Sequence, residues 1–234
     1  MREPILTWSE GERLDGMLHL PGPGRWPCVI TAHGLFSAKA SDKFLLLAAR
    51  LTEAGFACLQ FDFRGCGESG GEIKDTTVGG RINDLKVVVA SLRDHQALDG
   101  HLFLMGSSLG GYVALCVTAE QPEVKATALW ATPAHMRDLV DRKDALQAHG
   151  LGAAFFREIA QGSFIEAPTG VPRCLIIHGE RDELIPCSHA QALYERAKEP
   201  KALEILPGAD HRLTDPEHRE QAIHLTTTWF KRHL

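Results

Sequence analysis

Continuous apolar runs of strand length alternate with segments of helical periodicity along most of this chain. Residues 27–32, 56–62, 101–105, 124–130 and 171–177 are runs in which nearly every position is apolar. That is the pattern of parallel strands buried on both faces. Between them, 42–54 places Phe44, Leu47, Ala48 and Leu51 on one helical stripe, and 78–92 does the same with Ile82, Leu85, Val88 and Val89. Residues 112–120, 188–197 and 217–234 read as further helices, the last with Ala222, Leu225, Trp229 and Phe230 facing inward. Residues 203–206 form a short strand. At the start, 5–8 and 13–20 read as two strands around Glu10-Gly11-Glu12 with no helix between them, which suits an antiparallel edge. The pattern predicts an α/β fold: a mostly parallel sheet covered by helices on both faces.

One segment breaks this rhythm. Residues 134–168 contain no convincing strand, and 137–149 and 151–159 read as two short helices separated by Gly150. The expected organisation is a core of 1–133 and 169–234 with 134–168 inserted as a small helical lid; an elongated crossover helix is the alternative. Within the insertion, Asp138, Asp141 and Asp144 recur every three residues as a solvated helix face.

Composition narrows the functional classes. With 234 residues, 44% hydrophobic and 24% charged, the chain can bury a large core. Its 25 basic and 30 acidic residues give a net charge of −5 with no basic cluster, which argues against nucleic acid as a partner. Cys28, Cys58, Cys116 and Cys174 lie in apolar runs, Cys66 in a glycine-rich loop, and Cys187 in a loop or helix start. No C-x-x-C pair occurs. This usage fits a reducing compartment, and with no signal-peptide core and no apolar stretch of membrane length the expectation is a cytoplasmic protein. The twelve histidines show no recognised ligand spacing, so neither metal nor other cofactor is expected.

The chemistry gathers at strand ends. Gly106-Ser107-Ser108-Leu109-Gly110-Gly111 lies between the 101–105 strand and the following helix. This is G-x-S-x-G at a strand-to-helix turn, the context of a nucleophile elbow. Gly106 and Gly110 are expected where backbones approach closely, and the flanking spacing selects Ser108 over Ser107. A serine hydroxyl needs a base, and the base needs an orienting carboxylate. Asp182 follows the 171–177 strand and His211 follows the 203–206 strand, so the three candidates occur in the order Ser, Asp, His past strand ends. Asp210 is expected to point elsewhere in its turn. His33 and His178, each before a glycine at a strand end, are expected to brace loops.

With these residues in place, the chain resembles the α/β-hydrolase superfamily. It is similar in particular to the serine esterases and acyl hydrolases grouped with feruloyl esterases, monoacylglycerol lipases and serine aminopeptidases. The matching stretches are His33-Gly34, Phe61-Asp62-Phe63-Arg64-Gly65-Cys66-Gly67-Glu68-Ser69, the elbow, His178-Gly179-Glu180-Arg181-Asp182-Glu183-Leu184-Ile185-Pro186 and Gly208-Ala209-Asp210-His211. Cys66 departs from the pattern, which commonly has histidine or tyrosine there. The resemblance implies Ser108 as nucleophile, His211 as base and Asp182 as its orienter, with the backbone N–H groups of Leu109 and Leu35 as the oxyanion hole. It also implies a small-molecule ester as substrate. A histidine base must be neutral to accept the serine proton, so activity is expected to rise with pH through an imidazole ionisation, ~6.5 for free histidine. Peptidase, amidase, thioesterase or acyltransferase activity on the same residues stays open, because the scaffold does not choose the acceptor. A non-catalytic binding protein is the reading from another class. Within the insertion, Phe155 and Phe156 are expected to line an apolar slot for the acyl group.

Overall fold

The apolar runs all become strands of one sheet. The computed structural model describes residues 1–234. In chain order the elements are β1 (Arg2–Ser9), β2 (Glu12–His19), β3 (Trp26–Ala32), α1 (Asp42–Glu53), β4 (Ala57–Phe61), a 3₁₀ turn (Ile73–Asp75), α2 (Val78–Ser91), β5 (Leu98–Ser107), α3 (Leu109–Glu120), β6 (Val124–Trp130), α4 (Arg137–Asp141), α5 (Lys143–Ala148), α6 (Ala153–Ala160), β7 (Pro172–Gly179), α7 (Ser188–Arg196), β8 (Lys198–Leu206) and α8 (Pro216–Lys231). The eight strands lie in the order β1-β2-β4-β3-β5-β6-β7-β8. β1 pairs antiparallel with β2, and β2 antiparallel with β4. Every other pairing is parallel.

The two-residue period of the strands sorts their side chains into two cores. Cys28 and Ile30 of β3 and Leu102 and Leu104 of β5 face one core, with α2, α3 and α7 packed over it. Val29, Phe103 and Met105 face the other, under α1 and α8. Cys28, Cys58, Cys116 and Cys174 are buried within these cores, as their apolar surroundings predict, and all six cysteines are free thiols. No helix is long and apolar enough to cross a membrane.

Most element ends, such as the starts of β1, β5 and α3, shift by up to about three residues from the sequence reading, and three elements differ more. β8 begins at Lys198, five residues earlier than expected. Lys198, Glu199, Pro200 and Lys201 hide the strand in the sequence, but β8 is an edge strand, where charge and proline are tolerated. The single helix expected over 137–149 is two, α4 and α5, with a break at Arg142. The 3₁₀ turn at Ile73–Asp75 carries no apolar stripe that would announce it.

The segment 134–168 leaves and rejoins the sheet at one place. His135 and Glu166 form an antiparallel bridge. Met136 N–H donates to the Ile165 carbonyl at 2.8 Å, and Ala167 N–H to that of Ala134 at 2.9 Å. Arg196 of α7 clamps this root, bonding the Ala134 carbonyl at 3.1 Å and the Glu166 carboxylate at 2.6 Å. Farther out, the Glu158 carboxylate of α6 accepts from Val78 N–H at 2.7 Å and Gly79 N–H at 3.0 Å. It thereby caps the first turn of α2, whose N–H groups have no intrahelical acceptor. Glu158→Ala is expected to lower stability by about 1–2 kcal/mol, the range for losing a helix cap. Chemical denaturation should report the loss. A variant as stable as the parent would mean that α6 is not anchored there.

Candidate functional site

The elbow forms because three backbones meet where only glycine fits. Ser108 has φ +55 and ψ −126, a conformation sparsely populated for a residue with a side chain and costing of order 1–3 kcal/mol. A Cβ on Gly106 would collide with the Gly110 backbone, one on Gly110 with the Ala32 carbonyl, and one on Gly111 with the Thr132 hydroxyl. The expectation of close approach at Gly106 and Gly110 is met. Ser108 N–H donates to the Trp130 carbonyl at 2.8 Å, which ties the strained residue to β6. Ser108 is partly exposed, whereas Ser107 is buried.

Asp182 and His211 come together past β7 and β8. His211 Nδ1 lies 2.8 Å from Asp182 Oδ2 and 3.0 Å from Oδ1. Asp182 Oδ1 also accepts the N–H groups of Leu184 at 2.9 Å and Ile185 at 2.7 Å. His178 Nε2 lies 2.8 Å from the Ile185 carbonyl, so that nitrogen carries a proton, which it shares with Asp182 Oδ2 at 3.2 Å. His178 thus braces the loop, as expected, and grips the carboxylate as well. Burial alone would raise the Asp182 pKa, but hydrogen bonds from His178, His211 and the Ile185 N–H outweigh it and hold the carboxyl well below its ordinary range. Asp210, the neighbouring carboxylate, turns to Thr214 N–H at 2.8 Å instead. His211 Nε2 makes no protein hydrogen bond, and neither does the Ser108 hydroxyl; such bonds are often long or unformed without substrate.

The loop after β3 closes the site. A Cβ on Gly34 would stand 3.2 Å from Ser108 Cβ, so this loop touches the elbow. His33 Nε2 accepts from Phe63 N–H at 3.1 Å, which leaves the ring proton on Nδ1 to donate to the Gly34 carbonyl at 2.8 Å. Burial, with Arg81 nearby, lowers the His33 pKa and keeps the ring neutral. Leu35 N–H has no acceptor in the protein, and Leu109 N–H opens α3, where helix geometry supplies none. Behind the loop, Lys39 Nζ bonds Asp15 at 2.8 Å, Asp62 at 2.8 Å and Glu68 at 2.6 Å. This joins the loop to the glycine-rich stretch after β4.

Phe155 and Phe156 do not line an open slot. Both rings are buried, at 0% and 4% exposure, edge to face at 5.5 Å within the larger core. They are the inner face of α6 where it packs on the main domain. An apolar stripe on a helix reports burial but not whether the partner is protein or ligand. The exposed aromatic beside the site is Phe36, 43% exposed at φ +56, whose ring lies 5.7 Å from that of His149 at the end of α5.

His135, Asp138 and His189 also meet, although no sequence spacing marks them; their ligating atoms lie within 4.8 Å of one another. His189 Nδ1 accepts from Ala134 N–H at 3.0 Å, so its proton sits on Nε2 and is donated to Asp138 Oδ2 at 3.0 Å. Binding a cation through Nε2 would move that proton to Nδ1, against the Ala134 N–H. The set is a proton-held strap between α4 and α7, and its donors do not fit a resident metal.

Lys43 was not singled out by the sequence, where it is one polar position in an amphipathic helix. Its Nζ donates to Ser107 Oγ at 2.7 Å, directly behind the elbow. Burial of the ammonium, then Arg219 and Arg212, lower its pKa to about 8, while Asp210 and Asp182 act in the opposite direction.

A sequence profile of the family described as serine aminopeptidase, S33, matches residues 26–162. The uncharacterised protein YfhR of Escherichia coli K12 is 28% identical over 212 residues, covering 88% of this chain and 71% of that protein. Human palmitoyl-protein thioesterase ABHD10, a mitochondrial protein, is 25% identical over 218 residues, covering 82% of this chain and 69% of its own. Among solved structures, the ferulic acid complex of Est1E from Butyrivibrio proteoclasticus superposes with a TM-score of 0.83 at 22% identity, covering 98% of both chains. That structural match, over nearly the whole of both chains, shows the α/β-hydrolase fold.

A lysine whose pKa is lowered in the folded state binds fewer protons there than in the unfolded chain between about pH 8 and its ordinary value near 10.5. Its contribution is therefore unfavourable below about pH 8 and fades as pH rises through that window. Lys43→Met should gain stability relative to the parent most at pH 6–8, with the gap narrowing towards pH 10. Melting temperatures across that range that run parallel would show that Lys43 titrates normally.

Proposed function

The chain belongs to the serine aminopeptidase, S33, family of α/β hydrolases, and on that premise we propose that it is a serine hydrolase that cleaves small carboxylic esters through Ser108, His211 and Asp182. The observation that carries the reading is the His211–Asp182 pair. Asp182 holds the Nδ1 proton with both carboxylate oxygens and leaves Nε2 free, at the same edge of the sheet as a strained, partly exposed serine.

The chemistry follows from those positions. Ser108 Oγ attacks the acyl carbon as its proton passes to His211 Nε2. The carbonyl electron pair moves onto oxygen, which is held by the N–H groups of Leu35 and Leu109. Collapse breaks the ester C–O bond, and the imidazolium gives its proton to the departing alcohol. Water then repeats the sequence on the acyl-enzyme and releases the acid. Asp182 stays ionised throughout, because its hydrogen bonds hold its pKa low.

Thioester hydrolysis is the second reading, supported by the likeness to ABHD10, a palmitoyl-protein thioesterase. The same attack applies, with a thiolate as the leaving group. The segment 134–168 acts in this proposal as a lid over the acyl group, and Phe36, next to Leu35 and against His149, is its point of contact with the site.

Ser108→Ala should retain the fold and lose ester hydrolysis by a factor on the order of 10⁴ or more, whereas Ser107→Ala should lose far less. Turnover near that of the parent in purified Ser108→Ala would refute the assignment. Oxygen esters and thioesters of matched acyl groups, assayed side by side, separate the two readings.

Acyl preference should follow Phe36 and not Phe155. Phe36→Ala is expected to change the chain-length profile of kcat/KM while acetyl esters keep most of their rate. Phe155→Ala should cost about 3–5 kcal/mol of stability and leave the profile of the folded fraction unchanged. A profile that moves with Phe155 and not with Phe36 would place the acyl pocket inside α6.

A further inference from the structure

An oxyanion donor must be aimed before the charge develops, and the Leu35 N–H is held by the peptide it belongs to. Gly34 and Leu35 share one trans peptide, so the Gly34 carbonyl and the Leu35 N–H point in opposite directions from a rigid plane. Whatever holds the carbonyl sets the direction of the N–H. His33 Nδ1 is one such donor. The other is Arg81, from the first turns of α2, whose Nη1 donates to the same carbonyl at 3.4 Å.

Arg81 is an unusual residue to find there. It is 2% exposed, and no carboxylate lies within ion-pair distance of it. Asp84, three residues along the helix, is paired with Arg64 at 2.7 Å instead. Arg81 Nη2 donates to Cys66 Sγ at 3.3 Å, its guanidinium carbon stands 4.7 Å from the centre of the Phe63 ring, and its Nε has no partner. A buried cation so poorly compensated is costly. Its protein acceptors are the Gly34 carbonyl and the thiol of Cys66.

We propose that Arg81, steadied by Cys66, is a positioning residue for the oxyanion hole, acting through the Gly34–Leu35 peptide. This rests on the serine-hydrolase reading. Two effects follow from the one bond. The carbonyl is fixed by donors from two elements, so the peptide cannot rotate as charge develops on the substrate oxygen. A cation drawing on the carbonyl also polarises the amide and makes its N–H a stronger donor. Cys66 accepts the second guanidinium N–H and sets the rotation of the group about its stem.

A trifluoromethyl ketone tests this directly. Ser108 Oγ bonds to the ketone carbon, the carbonyl pair becomes an oxyanion, and the serine proton moves to His211, so the adduct fills the oxyanion hole. The matching methyl ketone, which adds far less readily, reports ground-state binding. In Arg81→Met, kcat should fall on the order of 10- to 100-fold, within the reach of losing part of one oxyanion donor. KM and methyl ketone affinity should stay close to those of the parent, and trifluoromethyl ketone affinity should fall in step with kcat. Arg81→Lys keeps the charge but cannot reach both acceptors, and should lie between. Cys66→Ala should show the same split at smaller size, and Cys66→Ser, which retains an acceptor, should fall less than Cys66→Ala. Because both act through one carbonyl, Arg81→Met/Cys66→Ala should lose less than the product of the single losses.

Folded Arg81→Lys or Cys66→Ala enzyme with unchanged kcat and unchanged trifluoromethyl ketone affinity would overturn the proposal, as would losses in KM and methyl ketone affinity equal to the loss in kcat. Should Arg81→Met not fold, those two variants decide alone. A parent enzyme that forms no ketone adduct would overturn the serine-hydrolase reading itself, and this proposal with it.

Discussion

The carboxyl edge of the sheet depends on how closely the backbone at Gly110 approaches that of β3. With any Cβ there, α3 would have to move away from the Ala32 carbonyl, and the turn that presents Ser108 would open. The approach is held from both sides. β3 and β5 pair in parallel up to Ala32 and Gly106, and Ser108 N–H is bonded to the end of β6. A strained residue persists only where its surroundings leave no alternative, and here two neighbouring strands supply that restriction. The same proximity brings Gly34 against Ser108, so the proposed nucleophile and the proposed oxyanion loop are set by a single packing event.

Around this contact the protein manages buried charge in several different ways. Asp182 keeps its charge because four donors surround it. His33 is kept neutral by burial and spends its one proton on the Gly34 carbonyl. Lys39 is charged among three carboxylates, and Lys43 stands behind the elbow with Ser107 as its hydrogen-bond partner. The Asp182 and His33 arrangements each fix a loop past a strand end, and the proposed chemistry would draw on such preorganisation.

The segment 134–168 is joined to the core at its root and along α6. Bridging at His135 and Glu166, the Arg196 clamp, and Glu158 on α2 all hold it in one place. Its inward aromatics are spent on this docking. The part nearer Phe36 and His149 is instead where rings meet at the surface, which is why the proposed acyl contact is placed there.

The sequence by itself determined the sheet, the two helical layers and the elbow, because each is written in local terms. A strand buried on both faces needs an unbroken apolar run, a covering helix needs a stripe at 3.6-residue spacing, and the elbow needs small residues at fixed offsets. The placement of Asp182 and His211 past strand ends was legible for the same reason, since chain order and strand ends together predict the edge of the sheet. Tertiary structure alone decided what the remaining polar residues do. Lys43 meets Ser107 across 64 positions, and Arg81 meets Gly34 across 47. His189 meets Asp138 across 51. Nothing in the local pattern around any of them differs from that of an ordinary helix or loop. Phe155 and Phe156 show the same limit from the apolar side: periodicity reports that a face is covered, and only the packed structure shows whether protein or substrate covers it.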